Sequence, residues 1–244
     1  MRLRLAILAL AASLAGGAVA QDRLAPVQVS GEPHVAGYQL DLRRVFAEAY
    51  APGVRLRAVV LPSFSLEYAV GLRARGTRYE IFFVEPTRQI WTYQILAMMG
   101  SGQMRVSGNI NNPRADVRDG TAEEIRRLQR GLPRDPRDVP LTRCAIAVDD
   151  ATAAALQSAW RQMLEEVRPG ELIPGGLDGT SYHFSMELAG RSLDGETWSP
   201  REGTRMAKLT RIADAMRAYC TTRGAVHLRE LTDLAGQLAA AGPA

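Results

Sequence analysis

Lysine is almost missing from this chain: Lys208 stands alone against 29 arginines in 244 residues. The skew is of the kind genomic composition produces, and it carries no functional weight. Histidine and cysteine are nearly as scarce, with three and two copies. A zinc site draws about four Cys or His ligands from closely spaced positions, and Cys144 and Cys220 have no histidine cluster near them. No motif asks for a metal or any other cofactor. Basic stripes are missing as well. The net charge is only +4, and pairs such as Arg126-Arg127 sit beside Glu123-Glu124, so the dense cationic patch expected of a nucleic-acid binder is not there. After residue 20 no apolar run is long enough to span a bilayer, which takes about 20 residues.

The first twenty residues differ from the rest. Arg2 and Arg4 precede an apolar run from Leu5 to Ala15, and the segment closes on Gly16-Gly17-Ala18-Val19-Ala20 before Gln21, with no acidic residue. A charged start, a short apolar middle and a small-x-small ending are the three parts of a secretory signal. The mature chain is expected to start at Gln21, with its net charge lowered to +2 by loss of two arginines. No cysteine follows the cleavage site, which argues against a lipid anchor. The expected product is soluble, and periplasmic or secreted.

Export changes the reading of the cysteines. Disulfides persist outside the cytoplasm, so Cys144 and Cys220 are expected to pair. The bridge would close a 76-residue separation, and on the chain-entropy model it contributes roughly 4 kcal/mol.

Residues 21–36 contain Pro26, Gly31 and Pro33 without periodicity and read as a flexible leader, with order beginning near Tyr38. An N-terminal lobe over 37–108 starts with a helix in which Tyr38, Leu42, Val45, Phe46 and Ala49 share a face, closed by Pro52-Gly53. Strand-like runs at 54–61, 66–73 and 78–84 then make an antiparallel meander. Residues 89–99 suit a strand or a helix equally. A connecting region over 109–140 is rich in Gly, Asn, Asp, Arg and Pro; Thr121 and Glu124 form a capping box there, and Gly131 ends the short helix.

A second lobe spans 141–244. It opens with a strand at 141–148, then a helix capped by Asp149 or Asp150 and carrying Leu156, Trp160, Met163 and Leu164 on one face. After a Pro-Gly-Gly loop at 174–176 come strands at 182–188 and 193–199, a helix from Thr204 to Cys220 and a terminal helix from Val226 to Ala240. The fold class is α+β, with short antiparallel sheets, a meander and a hairpin, covered by amphipathic helices.

The most chemical-looking stretch is that last hairpin. Tyr182, Phe184, Met186 and Leu188 point one way while His183, Ser185 and Glu187 point the other. A turn centred on Gly190-Arg191 sets His183 opposite Trp198, Ser185 opposite Glu196 and Glu187 opposite Asp194; a turn at Asp194-Gly195 would dissolve the pairing. The candidate binding residues are therefore His183, Glu187, Glu196 and Trp198. They form a polar face able to hold a cationic ligand or to pair a base with an acid. A solvated sheet edge carries the same residue types, and His183 lies about 13 Å along the strand from Glu187, too far to share a metal ion. Glu67, Glu80 and Glu85 could supply a glycosidase pair only if the fold brought two together. No serine elbow, phosphate loop or dinucleotide motif is present.

With no catalytic motif, the chain reads as an exported, non-enzymatic binding protein acting on an envelope partner, such as an inhibitor or immunity-type factor. The alternatives are a periplasmic hydrolase with a dispersed site and a small-ligand module using His183 and Trp198.

Overall fold

A computed structural model describes residues 22–28, 31–100, 123, 125–169 and 178–241. The expected export signal at 1–20, the expected capping box at Thr121 and Glu124 and the loop at 174–176 lie outside the described residues.

Helix α1 spans Pro33–Val45 and runs into a 3₁₀ turn at Ala47–Tyr50. Pro33 opens it, where the missing N–H costs nothing, and the Pro52-Gly53 turn ends the segment. Three strands follow, β1 (Val54–Pro62), β2 (Tyr68–Arg75) and β3 (Arg78–Pro86). The ambiguous run is helical, giving α2 (Trp91–Gly100). Strand β4 (Leu141–Val148) leads into α3 (Asp150–Glu165), whose first turn is capped by the Asp149 carboxylate accepting from the Thr152 N–H at 2.8 Å. A hairpin of β5 (Thr180–Leu188) and β6 (Arg191–Trp198) precedes α4 (Arg205–Thr222) and α5 (Ala225–Ala240).

All six strands join one antiparallel sheet in the order β4-β3-β2-β1-β5-β6. Two lobes were expected; the structure interleaves them. The β1–β3 meander leaves both of its edges unpaired, and the later strands complete them, β4 on β3 and β5 on β1. Exposed edges carry unpaired N–H and C=O groups, so sharing one sheet satisfies both halves.

Strand alternation splits the side chains into two layers. Leu56, Ala58, Val70, Leu72, Ile81, Phe83, Phe184 and Met186 pack beneath α3, α4 and α5 in the larger core. Trp160, fully buried at its centre, meets Phe184 edge-on and donates its indole N–H to the Arg57 carbonyl at 3.3 Å. On the opposite face Val59, Ala69, Phe82 and Val84 pack against Leu42, Val45, Phe46 and Ile90. Cys144 on β4 is bonded to Cys220 on α4, tying the first strand of the chain's second half to its longest helix, as expected.

The leader is not loose at its start. Leu24 is fully buried, Ala25 exchanges hydrogen bonds with Glu196 at 2.9 and 2.7 Å, and Asp22 accepts from the Arg205 N–H at 2.6 Å. The segment lacks periodicity because it contributes one anchor to the core and one bridge to the free edge of β6, neither of which repeats. No helix among the described residues is long and apolar enough to cross a membrane.

Candidate binding site

The hairpin register decides which polar groups meet. Its two-residue turn is Ala189-Gly190, with φ of 50° and 76°, the positive pair a type I′ turn requires. This is two residues away from the expected register. His183 therefore faces Glu196, Ser185 faces Asp194, Glu187 faces Ser192 and Trp198 faces Ser181. A shift of two keeps every side chain on its face, so apolar patterning is blind to it. Packing distinguishes the registers: Gly195 lies opposite Phe184, where Leu24 and Val167 fill the space that a side chain would need.

The expected quartet is thus divided. His183 Nε2 approaches Glu196 Oε2 to 3.3 Å, and both are about one-quarter exposed. Glu187 sits in the open near the turn. Trp198 is spoken for by the chain before β5: a Cβ on Gly179 would lie 2.5 Å from its indole, and Gly179 is itself held to Ser63 through two backbone-to-side-chain hydrogen bonds. An indole over a backbone glycine packs; it does not present a free aromatic face.

Other residues complete the site. Arg57 on β1 pairs with Ser185 on β5, which pairs with Asp194 on β6, making a row across three strands at about 4.8 Å spacing. The neighbouring row on the same face is Val59, His183 and Glu196. Above them, Gln39, Leu42 and Arg43 of α1, Tyr50, and Val27 from the N-terminal segment enclose a cleft of about 90 Å³. The Arg57 guanidinium lies 4.2 Å from the Tyr50 ring centroid and that of Arg43 5.8 Å from it, so two cations share one aromatic ring. Sequence reasoning missed Arg43, Arg57 and Tyr50. The one available signal was a charged residue at position 57, inside a run whose neighbours Leu56, Ala58, Val59 and Val60 are all core.

Electrostatics follow from burial. The His183 imidazole is pulled down to about 4 by desolvation, so at neutral pH it is uncharged. Desolvation also raises the Glu196 carboxyl, opposed by a backbone hydrogen bond from Gln28. No hydrogen bond joins the Ser185 hydroxyl to His183 among the described residues, so the nucleophile and base contact that an acyl-transfer site needs is not formed. The imagined glycosidase pairs are likewise separated. Glu67 accepts from Tyr38 at 2.8 Å and from the Ile90 and Trp91 N–H groups at 2.9 and 2.8 Å. Glu80 is held by Arg73 and Glu85 by Arg217, on opposite faces of β3. Each carboxylate is anchoring structure. Among the described residues no group of three or more His, Cys, Asp or Glu gathers to hold a metal ion.

No family model, no curated protein and no solved structure matches this chain.

Proposed function

We propose that this is an exported binding protein whose recognition site is the cleft between α1 and strands β1, β5 and β6, and that it performs no covalent chemistry there. The observation carrying this reading is the row Arg57, Ser185, Asp194 lining the cleft beneath α1, while His183 meets Glu196, Trp198 packs on Gly179 and Glu187 stands outside the cleft near the turn. A walled cleft of about 90 Å³, smaller than the roughly 300–1,000 Å³ pockets of drug-sized ligands, suits a small polar group held by a few convergent side chains. It favours the small-ligand reading over a flat partner surface of the inhibitor or immunity type. The disulfide supports an oxidising compartment such as the periplasm or the exterior.

A fragment screen on the oxidised chain, followed by chemical-shift mapping, tests the reading. Hits should cluster on His183, Ser185 and Asp194. Gln39→Trp, which fills the cleft mouth, should abolish them, whereas Trp198→Ala should leave them bound. Hits insensitive to Gln39→Trp, or no hits, would overturn the proposal.

A further inference from the structure

We infer that the cleft is an oxyanion clamp: Arg57 and Arg43 take the carboxylate or phosphate group of a small acidic ligand, and Asp194 is the internal counter-ion which that group displaces. The inference rests on the binding role proposed for the cleft and names the chemistry of what enters it.

The first support is Arg57 itself. Its side chain is only 18 % exposed, yet its guanidinium makes no hydrogen bond among the described residues, and Asp194 Oδ1 stands 4.0 Å from Nη2, beyond hydrogen-bonding reach. A guanidinium presents five N–H donors in a planar fork matched to carboxylate and phosphate oxygens. These donors are not sealed away from the cleft that Arg57 lines, so they are free to engage an oxyanion that enters it. Tyr50 meanwhile supports the group through its ring, at the 4.2 Å already noted, without using an N–H.

Asp194 is placed to yield. Its Oδ2 accepts from the Ser192 hydroxyl at 2.9 Å, and the side chain is 44 % exposed. It can give up a loose ion pair and keep its hydrogen bond and its water. Size points the same way. A cleft of about 90 Å³ is large enough to admit a carboxylate or phosphate group.

A cationic ligand fits less well. Of the carboxylates that would receive it, Glu196 already meets His183 and the Gln28 N–H, and Asp194 stands beside the Arg57 guanidinium, which would repel a second cation; the indole expected as its platform covers Gly179. With His183 neutral, the two arginines are the cations that face the opening.

Titration calorimetry at constant ionic strength provides the test, using sodium acetate, inorganic phosphate and methylammonium chloride on the oxidised mature chain. Acetate or phosphate should bind, and whichever binds tighter identifies a carboxylic or a phosphorylated ligand. Arg57→Gln should weaken that binding by about tenfold, the scale of one charge-assisted hydrogen bond. Arg43→Ala, at the exposed lip and harmless to the fold, should weaken it by about threefold, and Asp194→Asn should tighten it by about threefold. Binding of methylammonium alone, anion binding indifferent to both arginines, or weakening by Asp194→Asn would each overturn the clamp. Fragment hits that Gln39→Trp abolishes would then still sustain a binding cleft, whereas a screen without hits removes both.

Discussion

The two faces of the sheet are built to different standards. Beneath α3 and α4 the apolar layer runs from β4 across to β6, α5 packs on both helices, and a disulfide ties the edge strand to α4. Beneath α1 a smaller cluster covers the meander and stops at β1, leaving the α1 side of β5 and β6 to His183, Ser185, Asp194 and Glu196. A helix about 10 Å across covers roughly two strands at 4.8 Å spacing, so α1 with the short α2 beside it cannot roof six. The uncovered strip is where polar groups converge. The thick face supplies rigidity; the thin one carries the proposed site on rigid strands.

That contrast can be broken from either side. The largest effect is expected from the staple. Replacing Cys144 and Cys220 together with alanine should lower stability by about 4 kcal/mol on the chain-entropy model, read as a shift in the urea midpoint, while leaving the cleft's anion affinity unchanged. Loss of affinity in a still-folded variant would show that the two faces are not independent.

A somewhat smaller loss, about 3 kcal/mol, is expected for Glu67→Ala, which strands the buried Ile90 N–H along with the Trp91 N–H and the Tyr38 hydroxyl. Because Glu67 links α1 to the start of α2, the damage should concentrate on the thin face. Hydrogen exchange should accelerate in α1 and α2 first, with α3 and α4 still protected; uniform acceleration would contradict the division.

The smallest effect is a pH dependence. With a folded value near 4 against an ordinary value near 6.5, His183 refuses a proton that the unfolded chain accepts. Its contribution is therefore fully present above pH 6.5 and is lost as pH falls from 6.5 through about 4. Glu196, raised by the same burial, acts in the opposite sense near the lower end and offsets part of it. His183→Asn should flatten the melting temperature between pH 7 and 5 relative to the wild type; an unchanged slope would remove His183 as its source.

Much of the fold was legible because its signals are local. The Leu156, Trp160, Met163, Leu164 stripe and the Asp149 cap define α3 whatever surrounds it, and the helix beginning after Thr204 is equally self-declaring, with Thr204 accepting from the Ala207 N–H. The run at 89–99 was not legible, since its helix is started from outside by Glu67, more than twenty residues earlier. The site was half legible. His183 and Glu196 alternate onto one face, but Arg57 comes from a strand more than a hundred residues away.

By itself, then, the sequence determined the α+β class, most element boundaries, the two faces of each strand and the cysteine pairing, because periodicity, caps and a lone pair of thiols act over a few residues or leave no alternative. Tertiary structure decided the rest. It merged two expected lobes into one sheet because a meander must have its edges paired, seated Leu24, and chose between hairpin registers that patterning cannot separate. Through that register it set His183 against Glu196 and Ser185 between Arg57 and Asp194, since only packing around Phe184 and Gly195 distinguishes strands slipped by two.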